Sequence, residues 1–310
     1  MDKIIKEGRS LLKHFEDRKA RARERLTRDG SSWMCFALLG FAMDSEMVSL
    51  GKDALFRRVE EPPGEVELAC ALKNRAIFSS VARYSHSISY ELAISSDLEH
   101  EANELFTYAW WIVSALRVRT SSDFLVPVAA SCSWSVIAAA PDQTVDVHFV
   151  EDVPKAHRFN DNIKITNDDI AWVADNISIF SKLLEFNQFR LAIDALTTHS
   201  HQASLRMVLA SIWAGVEALF EIQSELKFRL ATYIASFLEP RGMSRYELFS
   251  SVKRQYDFRS KAVHGSQISD EELYKNIRSM RIMLSRIICR IMEHGEVPTV
   301  KYLDSIVFED

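Results

Sequence analysis

The pattern of apolar and polar positions changes about halfway along the chain. From Thr166 onward apolar residues recur three and four apart almost without a break, the spacing of helices with one buried face. Asn167 or Thr166 caps a helix over residues 168–185, and a second covers 189–198. A third, over 204–221, carries Leu205, Val208, Leu209, Ile212, Val216, Leu219 and Phe220 on one broad face. A fourth covers 224–238 and stops at Pro240-Arg241-Gly242, and a fifth runs from Ser244 towards Gly265. The sixth opens on the capping box Ser269-Asp270-Glu271-Glu272 and runs to Gly295. Short links between such helices predict antiparallel neighbours, hence an all-α antiparallel bundle over residues 166–295 with a tail at 296–310.

The first half is mixed. A helix over 2–28 has Ile4, Ile5, Leu11, Leu12 and Phe15 at helical spacing. Its dense positive run, Arg18 to Arg25, reads either as a solvated helix face or as a phosphate-binding arm. Residues 33–55 predict one or two short elements, Glu60-Glu61-Pro62-Pro63-Gly64 a loop, and 65–82 a helix or a strand–helix pair. A helix over 102–117 contains Trp110 and Trp111, read as core rather than as a platform for bases. Phe124–Val128 and Trp134–Ile137 are strand-like, and Val145–Val150 alternates as a half-buried strand does. The expected organisation is an α+β regulatory or sensing region over residues 1–160 followed by the bundle, mainly helical overall.

Composition narrows the function classes. A net charge of -5 over 310 residues argues against a generally basic coat, so any RNA contact must be local. Cys35, Cys70, Cys132 and Cys289 form no CxxC pair, which fits a reduced, cytoplasmic setting and no zinc site. Met1-Asp2-Lys3 leads into a charged helix rather than a signal peptide. Residues 33–43 are too short to span a bilayer and 124–140 are interrupted by Pro127, so a soluble protein with no membrane partner is expected. No Walker A, GxGxxG or GxSxG motif occurs, and His199-Ser200-His201 lacks accompanying cysteines or carboxylates, so neither a metal nor a cofactor is expected.

The candidate chemistry lies in Tyr256-Asp257-Phe258-Arg259-Ser260-Lys261-Ala262-Val263-His264-Gly265. On a helix, Leu248, Val252, Tyr256 and Val263 form an apolar stripe with Arg259 in its middle. A guanidinium aimed at a core or interface needs a carboxylate partner or an anionic ligand. Glu217 is the candidate acid, with Arg229 as a rival partner for it. His264 closes the helix where the dipole favours imidazolium, just before the glycine expected past a helix end. Positions five apart lie about 140° apart around a helix. Arg259 and His264 therefore converge through the reach of Arg, through a break at Gly265, or, the preferred route, across a dimer. Lys253, Arg254 and Lys261 flank the motif as weak RNA-backbone contacts, each also readable as solvated surface.

This run resembles the signature of HEPN domains, an Arg followed four to six residues later by His, and is most similar to the Apea-like branch. A second block appears upstream in Trp213-Ala214-Gly215-Val216-Glu217-Ala218-Leu219-Phe220 and in Ser224-Glu225-Leu226-Lys227-Phe228-Arg229-Leu230-Ala231. The resemblance covers about residues 166–295. It implies a homodimerising helical bundle that, in active members, cleaves RNA without metal, in toxin–antitoxin, abortive-infection or antiphage systems. An antitoxin or trigger protein is then a further partner. By the same resemblance Arg259 and His264 are the catalytic pair, with Ser260, Glu217 and Tyr256 in support. Ser260 departs from the polar Asn, Asp or His that many members carry there. The rival class is a non-catalytic dimerisation or interaction module that binds a protein or RNA.

Overall fold

The computed structural model describes residues 2–29, 33–96, 102–152, 159, 164–222 and 225–308. It is mainly helical, with an α+β region in the N-terminal half. By compactness the chain divides into two units. One comprises Met1–Ala109, Phe124–Val153 and Lys164–Asn167, the other Trp110–Asp123, Pro154–Ile163 and Asp168–Asp310.

The first unit begins with helix α1 (Asp2–Asp29), followed by strands β1 (Trp33–Leu38), β2 (Ala42–Met43), β3 (Met47–Ser49) and β4 (Ala54–Arg58). Helices α2 (Glu65–Ala71) and α3 (Phe78–Ala82) precede β5 (Tyr90–Ser95) and α4 (Ala102–Thr120), and the division between units falls within α4. Strands β6 (Val128–Ala130), β7 (Val147–Phe149) and β8 (Lys164–Ile165) complete it. Six strands form an antiparallel sheet in the order β3-β4-β5-β1-β6-β7, with Phe36 opposite Leu92 and Leu92 opposite Phe56. Cys35, Ala37, Ala93, Val128 and Ala130 belong to a core closed by Leu68, Leu72, Val81, Trp134 and Ile137.

Two features of this unit were hidden in the apolar pattern. The strand expected at Phe124–Val128 is shifted to Val128–Ala130, and Trp134–Ile137 is a turn leading into a short 3-10 segment rather than a strand. An apolar run fits a buried turn as readily as a buried strand when a side chain such as Trp134 anchors it. The Trp134 indole N–H donates to the Cys35 carbonyl at 3.0 Å, and its backbone N–H donates to Glu91 at 2.8 Å. Glu91 also receives the Arg57 guanidinium at 2.5 Å, an ion pair inside the sheet.

The positive run of α1 is committed within its own unit. Arg18 pairs with Glu67 at 2.8 Å, Arg21 with Glu61 at 2.7 Å, Arg25 with Glu60 at 2.9 Å and Arg28 with Glu60 at 2.9 Å. The loop Glu60-Glu61-Pro62-Pro63-Gly64 is thus the counter-charge of the helix, which favours a structural face over a phosphate arm.

The second unit continues with α5 (Asn167–Leu183), α6 (Asn187–Thr197), α7 (Leu205–Phe220), α8 (Leu226–Leu238), α9 (Met243–Val263), α10 (Asp270–His294) and α11 (Val300–Phe308). Ser269 caps α10 by the reciprocal box with Glu272. Residues 296–310, expected as a tail, contain α11, which packs on α8 and whose Asp304 accepts the Tyr233 hydroxyl at 2.6 Å. Arg281 of α10, 2% exposed, donates to Asp123 at 3.0 Å and to the Ser121 carbonyl at 3.3 Å. His199 joins them, its Nδ1 2.6 Å from the Leu196 carbonyl and its Nε2 3.4 Å from Asp123. Burial works to raise the Asp123 carboxyl, but the His199 hydrogen bond and the Arg281 charge outweigh it and hold it below its ordinary value.

The Arg21 hydrogen bond, helped by Arg25 and Arg18, holds the Glu61 carboxyl at about 2. A depressed folded value gives stability that is present above the unfolded value and lost as the pH falls through the folded one. A Glu61→Gln variant is therefore expected to melt below the native protein near neutrality, with a gap that narrows as the pH falls from about 5 to about 2. A gap independent of pH would show that these pairs do not stabilise α1.

Candidate functional site

Helix α9 is long but shallowly buried, since only Val252 and Ala262 of its 21 residues are fully covered. Its C-terminus is fixed by two devices. Gly265 turns the chain in the left-handed region at φ +83°, and the Ser266 N–H returns to the Lys261 carbonyl at 3.1 Å. Arg206, in the first turn of α7, donates to the Ala262 carbonyl and, at 2.8 Å, to the Ser266 carbonyl. Arg206 escaped the sequence reading. Its signal was a cation in the first turn of a helix, where the dipole disfavours positive charge unless another helix end supplies carbonyls.

Along the seam of α7 and α9 four expected residues meet. The Arg259 Nη2 lies 3.5 Å from Glu217 Oε1, and its guanidinium carbon lies 5.7 Å from the Tyr256 ring centre. Trp213 meets the Tyr256 ring edge-on at 5.3 Å and 88°. Arg259 is thus paired with Glu217, whereas Arg229 donates to the Tyr233 hydroxyl at 2.7 Å. The pairing is loose. The side chains of Arg259 and Glu217 remain 24% and 26% exposed, and Arg259 Nε, Glu217 Oε1 and Trp213 Nε1 make no hydrogen bond among the described residues. Burial raises the Glu217 carboxyl above its ordinary value, with Arg259 pulling the other way. Burial, then the Glu217 charge, raises the Tyr256 hydroxyl.

His264 stands apart from this seam. It is exposed at the helix cap, its backbone N–H bonded to the Ser260 carbonyl at 3.1 Å, and among the described residues no hydrogen bond links its ring to Arg259. Taking Arg259 as zero, helical geometry puts Lys253 at about 120°, His264 at about 140°, Lys261 at about 200° and Arg254 at about 220°. The histidine therefore shares its side of α9 with the three flanking cations, while Arg259 and Tyr256 face α7. Lys253 lies over the Phe249 ring at 5.0 Å, and Arg254 and Lys261 are exposed. Ser260 is half-buried between the two sides.

Among the described residues, no group of three or more His, Cys, Asp or Glu side chains is placed to hold a metal ion. His199, half of the pair considered for that role, is buried against Asp123. Among the described residues no helix is long and apolar enough to cross a membrane. No protein-family model, curated protein or solved structure matches the chain.

A raised folded value means that ionising Glu217 costs stability as the pH rises from the ordinary carboxylate value, 4.5, through the folded one. Replacing it by Gln removes that cost. In paired thermal melts Glu217→Gln is expected to match or exceed the native protein near pH 7, with its relative advantage growing from about pH 4.5 upward. A clear loss of stability near neutrality would mean that attraction to Arg259 outweighs the burial penalty.

Proposed function

We propose that the protein is a metal-independent endoribonuclease of the HEPN type whose active site is shared across a homodimer, acting in toxin–antitoxin or antiphage defence. The observation that carries this reading is the split of the Arg259/His264 motif over two sides of α9. One side offers a guanidinium that is 24% exposed and loosely paired, and the other offers an exposed imidazole beside Lys253, Arg254 and Lys261, with Asp257, paired to Lys227, among them. A single copy aims the two groups in different directions. In the proposed dimer the exposed edge of Arg259, at the rim of the α7–α9 seam, meets the histidine side of the other copy's α9.

The chemistry follows from the groups. The ribose 2′-hydroxyl attacks the adjacent phosphorus, its proton passes to an imidazole, and the 5′-oxygen leaves and takes up a proton. His264 moves the proton, the general acid–base role that histidine fills most often. Arg259 stabilises charge building on the phosphoryl oxygens through the part of its guanidinium that remains exposed beside its loose pairing with Glu217. Lys253, Arg254 and Lys261 attract the strand. Tyr256 supports the guanidinium from below, as a ring face does for a cation.

A second reading keeps the dimer and drops the chemistry, since the 3.5 Å approach of Arg259 to Glu217 is also what a structural ion pair needs. Cleavage assays separate the two. The native protein is expected to cut RNA in the presence of EDTA, leaving 2′,3′-cyclic phosphate and 5′-hydroxyl ends. Arg259→Ala and His264→Ala are each expected to slow cutting on the order of 100-fold or more while remaining folded. Undiminished cutting by both variants, or ends carrying a 3′-hydroxyl, would exclude the Arg/His mechanism. A folded native dimer that cuts nothing would leave the interaction module.

A further inference from the structure

A cavity of about 1160 Å³ opens in the helical unit near the start of α9. The ends of α4 and α8, the middle of α10 and the face of α11 form its walls. Five guanidiniums line it against two carboxylates, Arg119, Arg241, Arg245, Arg286 and Arg290 against Glu239 and Glu293, with Arg119 also reaching Asp169 at 3.3 Å. Both acids are already engaged, Glu239 with Arg286 at 2.6 Å and Glu293 with Arg290 at 3.4 Å. Arg245 donates to the carbonyls of Glu239 at 2.9 Å and Ile306 at 3.4 Å and to the Ser236 hydroxyl at 3.4 Å. Among the described residues no carboxylate pairs with it.

The guanidinium of Arg245 stays charged in any protein setting, yet burial and the neighbouring Arg241 both work against that charge. An anion seated here offsets both effects. The volume exceeds what a simple phosphate needs and lies somewhat above the usual range of small-molecule sites. Phe237, Ile282 and Tyr302 supply apolar wall that an inorganic ion leaves unused. A base and ribose use that wall while the phosphates meet the arginines. Burial pushes the Cys289 thiol at this cavity up to about 12, so it is a wall and not a nucleophile.

We propose that this cavity binds a nucleoside polyphosphate, its phosphates held by Arg241, Arg245 and Arg290 and its base against Ile282 and Tyr302. The site is distinct from the RNA site, because fourteen residues of α9 separate Arg245 from Arg259, a rise of about 21 Å. It stands whether or not the protein cleaves RNA.

Titration calorimetry on the full chain tests it, with ATP, GTP and inorganic tripolyphosphate as probes. At least one nucleotide is expected to bind, and tripolyphosphate to bind roughly tenfold or more weakly than that nucleotide. Arg245→Ala is expected to weaken nucleotide binding by roughly tenfold or more. Because Arg245 also ties backbone carbonyls together, the exposed Arg290→Glu provides a second reading in a variant whose fold is not at risk, with the same expected loss. Arg259→Ala is expected to leave binding unchanged. The proposal is overturned if neither nucleotide binds at millimolar concentration, if tripolyphosphate binds as well as the nucleotide, if Arg290→Glu binds normally, or if Arg259→Ala removes the binding.

Discussion

Gly215 lets α7 approach α6 so closely that a Cβ built on it would lie 2.9 Å from the Ala195 Cβ and 3.1 Å from the Ala192 Cα. With that side of α7 committed to α6, the residues opposite it are the ones left for α9. Trp213 and Glu217, two positions either way from Gly215, sit about 160° and 200° around the helix from it. Those two side chains meet Tyr256 and Arg259. The close approach on one side of α7 thereby decides which polar groups face the motif helix on the other, and Arg206 then ties the end of α9 to the start of α7.

Two arginines in the same unit show what the seam is suited to. Arg281 is buried and held on two carboxylate oxygens of Asp123 and on a backbone carbonyl, the arrangement that a fully desolvated guanidinium requires. Arg259 has one carboxylate at 3.5 Å, and its side chain is 24% exposed against 2% for Arg281. A structural ion pair of the first kind is closed off from any ligand by its burial. One of the second kind keeps part of its guanidinium exposed, and its acid is held towards the neutral form by burial, which weakens its grip on the cation.

Much of the helical half was legible because its signals are local. Ser269 with Glu272 marked the start of α10, Gly265 marked the end of α9, and the apolar face of α7 ran through residues that are all buried. Glu217 as the acid near Arg259 was also readable, from a lone carboxylate set among apolar neighbours on α7. What escaped depends on distant partners. The counter-charges of Arg18, Arg21 and Arg25 lie 35 to 49 residues away, in a loop that looked like a mere connection and in the first turn of α2. The Asp123–Arg281 pair spans 158 positions, and no periodicity reports it. The arginine-lined cavity draws on five separate segments, so its charge excess is invisible in a chain whose total is -5. In the α+β half, Trp134 turned an apolar run into a buried turn through one hydrogen bond to Cys35.

Mixing two inactive proteins asks most directly whether the motif works across two copies. Arg259→Ala and His264→Ala chains are co-refolded in equal amounts, and RNA cutting by the mixture is compared with each parent alone. A shared site predicts that mixed dimers regain a measurable share of native cutting, since one of their two clefts combines an intact arginine with an intact histidine. A mixture as inactive as its parents, from chains shown to exchange subunits, would contradict a site built from both.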